Sequence, residues 1–215
     1  AADGGHGHSI YTHNHSGGAR LIARNMFGNN LSEYNIHLYA TSNAIRDYTV
    51  ENNTIHGDAV HVGGMLGLFN LVYQNNVQYG DYAQFGRYSG TNQNDTALIS
   101  GNESIDLLNW TVDENPAWLN LTEQNNIFYG DAWPTGAADR PGYTLAAKPA
   151  TKVWLNQFTK SARWLGNVII FNRDSAEAVS VDFSSILTAG SYLLRNSGCP
   201  TETWAFEYAG SGAVD

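Results

Sequence analysis

Asn53-Thr54-Ile55-His56-Gly57-Asp58 is the stretch whose reading decides the fold, because the chain writes it repeatedly. Asn76-Val77-Gln78-Tyr79-Gly80-Asp81 and Asn126-Ile127-Phe128-Tyr129-Gly130-Asp131 are close copies. Asn25-Met26-Phe27-Gly28-Asn29 and Asn102-Glu103-Ser104-Ile105-Asp106 are looser ones. The leading asparagines stand 28, 23, 26 and 24 residues apart. A repeat in the twenties built on an Asn–Gly turn signature marks a solenoid, whose units bury their apolar faces against one another. Between the copies lie short runs of β-formers with no helical spacing of apolar positions, so each coil is made of strands. The sequence therefore predicts an all-β chain. Residues 1–131 form a parallel β-helix of about five coils, 132–151 a proline-containing linker, and 152–215 a small antiparallel, sandwich-like β-domain.

Working outward from the motif, one strand precedes it and one follows. The first set comprises Arg20–Ala23, Tyr48–Val50, Leu71–Tyr73, Ala97–Ile99 and Leu119–Leu121. The second comprises Ile36–Leu38, Val60–Val62, Ala83–Phe85 and Leu108–Trp110, with Ile10–Thr12 in an incomplete first coil. Alternation along a strand places Ile36, Leu38, Val60, Val62 and Phe85 inside. The same alternation places Tyr11, His37, His61, Gln84 and Asn109 outside, one column stacked at about 4.8 Å per coil. The repeated asparagines fit a scaffold role, bonding amide to amide up the coil so that each turn is satisfied.

The charge is uneven. Residues 1–131 carry Arg20, Arg24, Arg46 and Arg87 against thirteen Asp and Glu, which accounts for the whole net charge of −9. Coils without lysine are a poor match for nucleic acid or anionic lipid, whose recognition runs through Lys and Arg. Cys199 is the only cysteine, so no intrachain disulfide forms. No apolar run is long enough to span a membrane as a helix. The chain opens on Ala1-Ala2-Asp3-Gly4-Gly5 without Met, as a mature or truncated product would. Five small or polar residues cannot cover Ile10, Leu21 and Ile22. The expectation is that earlier coils of a longer parent, a partner chain or a second copy stacked end to end covers the first coil.

Gly5-His6-Gly7-His8-Ser9-Ile10-Tyr11-Thr12-His13-Asn14 and Asn35-Ile36-His37-Leu38-Tyr39 resemble segments of an uncharacterised bacterial branch of the pectate-lyase-like superfamily. Val168–Asp174 and Val179–Phe183 resemble that branch's C-terminal β-domain. The resemblance covers nearly the whole chain and implies a right-handed parallel β-helix. It leaves the chemistry open, because the superfamily spans lyases, hydrolases, epimerases and adhesins.

Three constellations carry candidate chemistry. The cluster His6, His8, His13 and His15 with Tyr11 has a His-X-His spacing suited to a transition metal or to ligand contact. The outer column Tyr11, His37, His61 and Gln84, with Arg87 at its end, offers rings and amides for stacking on a sugar polymer and bonding its hydroxyls. In a β-elimination a histidine of this column would act as base and Tyr11 as acid. Tyr11, His37 and His61 are therefore the catalytic candidates, and His8, His13, Gln84 and Arg87 the ligand-binding ones. Third, Asp58, Asp81 and Asp131 repeat after Gly, and stacked carboxylates must splay or share a cation, with calcium the fitting ion; Asp58 and Asp81 are its candidate ligands. Two function classes follow. One is an exported protein, secreted or periplasmic, that binds, cleaves (as a lyase or glycoside hydrolase) or modifies an extracellular polysaccharide. The other is a non-catalytic adhesive or accessory subunit of an extracellular assembly.

Overall fold

The computed structural model describes residues 8–28, 34–57, 59–86, 94–113, 117–157, 166–175, 178–196 and 201–214. Their elements are strands and turns throughout. The chain divides into two compact units, 1–148 and 149–215.

The first unit is a parallel β-solenoid of about four turns. Each coil supplies three strands: β1 (His8–Thr12), β2 (Arg20–Ala23) and β3 (Met26–Gly28) in the first, then β4 (Tyr34–Ala40), β5 (Ile45–Glu51) and β6 (Thr54–His56). The next coil holds β7 (Ala59–Gly64), β8 (Leu68–Gln74) and β9 (Val77–Tyr79), followed by β10 (Tyr82–Phe85), β11 (Asp95–Ser100) and β12 (Glu103–Ile105). The last comprises β13 (Asn109–Val112), β14 (Leu121–Gln124) and β15 (Asn126–Tyr129), with β16 (Tyr143–Ala146) beyond it. Like strands stack into three parallel sheets, ordered β1-β4-β7-β10-β13, β2-β5-β8-β11-β14 and β3-β6-β9-β12-β15-β16. Ile36, Leu38, Val60, Val62 and Phe85 are fully buried between the sheets, as alternation requires.

The asparagine motif turns out to do two things. Its residues after Asn form the third sheet, a strand the turn signature had hidden. The asparagines form a continuous ladder: Nδ2 of Asn25, Asn53, Asn76 and Asn102 each donates to Oδ1 of the next at 2.9–3.1 Å. The same Oδ1 atoms accept the backbone N–H of the preceding asparagine, at 3.0–3.1 Å. The second amide hydrogen reaches a backbone carbonyl one coil back: Ile22 for Asn53, Val50 for Asn76, Tyr73 for Asn102 and Ile99 for Asn126. Just before each ladder residue the backbone turns left-handed, at Arg24, Asn52, Asn75, Gly101 and Asn125. Asn and Gly tolerate that conformation best, which explains the Asn-Asn and Gly-Asn doublets.

One expectation changes here. The stretch expected to be a linker closes the solenoid instead: β16 pairs with β15, Trp110 N–H donates to the Thr135 carbonyl, and Ala137 is fully buried in the core. A proline-rich composition does not prevent this, because an edge segment needs few N–H donors. Glu123 then occupies the core column Ile22–Val50–Tyr73–Ile99 at its last position. Its carboxylate receives both the Arg140 guanidinium and the Tyr143 hydroxyl, which itself accepts the Trp110 indole N–H at 2.8 Å. Burial, then the neighbouring carboxylate, pushes the Tyr143 phenol up, so it stays a donor. A charge thus sits at the end of an apolar column, held by a paired counter-charge and a hydroxyl.

The second unit pairs β17 (Thr151–Gln157) with β18 (Gly166–Asn172), β19 (Val181–Asp182) with β22 (Ala213–Val214), and β20 (Gly190–Arg195) with β21 (Thr203–Tyr208), all antiparallel. Val181, Phe183, Leu187 and Tyr208 form its core.

Candidate functional site

The outer face of the first sheet gathers the aromatic side chains. The register Tyr11↔His37↔His61↔Gln84 holds as the sequence reading required. Its next member is Thr111 rather than Asn109, which pairs with Tyr82. The strand begins at Asn109, so Trp110 points into the core and Asn109 keeps its outward direction two positions away. A slip of two residues preserves the face, which is why the side was right and the column wrong.

His37 lies at the centre. Its ring stacks on His61 at 5.0 Å and 23° between planes, and meets Tyr11, His8 and Tyr34 at 5.0, 4.7 and 4.4 Å. The His37 Nδ1 and His8 Nε2 atoms are 3.3 Å apart, with the donor set by the tautomers. Tyr34, Tyr39 and Tyr82, absent from the sequence-derived site, complete the group. Tyr39 stacks on His37 at 5.2 Å, and Tyr34 reaches Tyr82 edge-on at 6.0 Å. Tyr39 follows His37 by two, so simple alternation reaches it. Tyr34 precedes His37 by three and alternation sends it inward. The register shift between Tyr34 and Ile36 reverses this. Asn35 occupies the shift, fully buried, donating to the Gly57 carbonyl at 2.7 Å and accepting from the Ser9 hydroxyl at 3.2 Å.

His61 differs from expectation. It was expected on an open face and is 2% exposed. It does not enter the core, where Val60 and Val62 on either side of it point; its ring lies among those of His37, Tyr39 and Tyr34. A tight edge adjoins it: a Cβ on Gly63 would lie 1.6 Å from the Gly86 carbonyl oxygen, so only glycine admits that approach. Tyr11 is 55% exposed and Gln84 half-buried. His13 lies past the end of β1, exposed, its ring against His15 at 5.6 Å. Arg87, His6 and Asp58 fall outside the described residues. Among the described residues no group of three or more His, Cys, Asp or Glu is disposed to hold a metal ion. Farther along the aspartate repeat, Lys148 supplies the counter-charge, its Nζ 2.8 Å from Asp106 and 3.0 Å from Asp131.

Burial lowers His61 to about 4, and burial with the charges of His61 and His8 lowers His37 to about 3. Both rings are therefore neutral at pH 7. An unfolded histidine titrates near 6.5, so as pH falls below that value the unfolded chain takes up protons that the folded one refuses. The stability contributed by neutral His61 is full above about pH 6.5 and is lost as pH falls to about 4. The loss is on the order of 3 kcal/mol at about 1.4 kcal/mol per unit. Urea midpoints measured across that window for the native chain and a His61→Gln variant check it. Identical pH profiles for the two proteins would contradict it.

Chemically the face suits binding better than proton transfer. A base is most effective with a pKa near the working pH, and His37 is far below it while His61 is covered. Rings stacked across parallel strands turn their edges outward, so imidazole nitrogens and phenol hydroxyls form a strip of donors and acceptors. Tyr34 and Tyr82 meet edge-on at 86°. No family model matches the chain, and no curated protein and no solved structure matches it.

Proposed function

We propose that the chain is a carbohydrate-binding β-helix of the pectate-lyase-like kind, holding an extracellular polysaccharide on the ring face of its first sheet. The single observation that carries this is the contiguous group His8, Tyr11, Tyr34, His37, Tyr39 and Tyr82, rings in mutual contact along successive coils. Hydroxyl-rich polymers are bound through such mixtures of ring faces and neutral hydrogen-bonding edges, on surfaces that need not reorganise. The burial-lowered basicity of His37 and His61 favours binding over cleavage. Affinity electrophoresis against a panel of soluble polysaccharides tests the reading. Tyr11→Ala should weaken the bound member about tenfold, or ~1.4 kcal/mol, while leaving the unfolding midpoint near that of the native chain. A native chain that binds no polysaccharide would support the spacer or adhesin reading instead.

A further inference from the structure

We infer that this face selects uncharged polysaccharides over polyuronates, an inference resting on the glycan-binding reading above. The charge distribution carries it. None of the residues of β1, β4, β7, β10 and β13 is Asp, Glu, Lys or Arg. The second sheet, by contrast, holds Arg20, Arg46, Asp47, Glu51, Asp95 and Glu123.

The described cations of the first unit are placed elsewhere. Arg20 and Arg46 belong to the second sheet and Arg24 follows β2 directly. Arg140 is paired with Glu123, and Lys148 with Asp106 and Asp131. A uronate laid on the ring face would lose water from its carboxylate without gaining a counter-charge from these strands. It would also approach Asp81, immediately before β10, and Asp113, immediately after β13. A neutral sugar meets neither penalty. Its hydroxyls both donate and accept, and so pair with either nitrogen of a neutral imidazole and with phenol oxygens.

The spacing gives the polymer a direction. Tyr11 and His37 stand on successive coils with ring centroids 5.0 Å apart, and the covered His61 backs His37 at the same spacing from the next coil. An extended β-linked pyranose chain advances by close to one coil spacing per sugar. Laid along the solenoid axis, it keeps successive sugars in step with successive rings, whereas a chain laid along the strands meets only one coil.

Isothermal titration of the full chain with xylan, mixed-linkage glucan and galactomannan, against polygalacturonate and alginate, tests the selection. The neutral polymers should bind at least about tenfold more tightly, with affinity unchanged up to about 0.5 M salt, where charge–charge attraction is screened. Gln84→Lys should raise polyuronate affinity severalfold and make it salt-sensitive. Tighter polyuronate binding that weakens with salt and is lost in Arg87→Ala would overturn the inference and keep the site. Equal binding of both classes would overturn it too. Binding of no polysaccharide at all would instead remove the reading on which it rests.

Discussion

Replacing Asn76 with alanine is expected to lower the unfolding free energy by roughly 4 kcal/mol, at about 1 kcal/mol for each net hydrogen bond lost. Four bonds go at once. Asn76 Oδ1 accepts the Asn53 N–H and Nδ2, and Asn76 Nδ2 donates to Asn102 Oδ1 and the Val50 carbonyl. The Asn53 side chain keeps its bond to Ile22, but its backbone N–H is left buried without that acceptor. Asn76→Asp keeps the acceptor and destroys both donors, placing a carboxylate against two carbonyl-type oxygens. It should be worse still. Asn125→Gly, at an exposed left-handed position one residue from the ladder, should change stability by only a few tenths of a kcal/mol. Urea unfolding followed by tryptophan fluorescence in a Trp154→Phe, Trp164→Phe, Trp204→Phe background, which leaves Trp110, Trp118 and Trp133, reports the solenoid unit. A cost for Asn76→Ala no larger than that for Asn125→Gly would show that the ladder is ornament.

Arg140→Met should destabilise by a comparable amount, about 3–5 kcal/mol, because it strands a buried carboxylate. Glu123 is 6% exposed and Arg140 13%, so neither charge is relieved by water. The Tyr143 hydroxyl alone cannot balance a full charge. The double variant Glu123→Leu, Arg140→Met should recover most of the loss, since Ile99, one coil back in the same column, shows that an aliphatic group fits. If the single variant loses under about 1 kcal/mol, the pair does not hold this end of the core.

The coil architecture was legible because its determinants are local and periodic. Asn53, Asn76, Asn102 and Asn126 recur in one structural role, and period-two alternation around Ile36, Val60 and Phe85 leaves a single choice of inner face. What escaped is what the period does not encode. Tyr34 needed the irregularity at Asn35, whose buried amide reaches forward to the Gly57 carbonyl, between β6 and β7. His61 alternates outward correctly, yet its cover comes from rings on neighbouring coils, a fact of three dimensions. The last coil also departs from the repeat: Trp110 and Glu123 take inner positions that earlier coils fill with Ala83 and Ile99. The segment 132–148 was misjudged for the same reason, since a closing segment has no repeat to announce it. The chemistry of the face was less legible than its position. Residue types gave rings and imidazoles, and only their burial showed that these imidazoles are poor proton acceptors.

The asparagine ladder also gives the solenoid a polarity that the repeat does not advertise. The second hydrogen of Asn53, Asn76 and Asn102 returns to a backbone carbonyl one coil back, but every amide-to-amide bond from Asn25 to Asn102 donates toward the higher-numbered coil. Their dipoles therefore add along the axis, as in any chain of aligned amides, and each bond polarises the next. One end of the column is chemically a head and the other a tail. Any molecule extending this column, by further coils or by another chain, meets the ladder in register only head to tail. Two heads would set acceptor against acceptor. A property usually credited to helices thus belongs here to a file of side chains, and it fixes the sense in which the structure can grow.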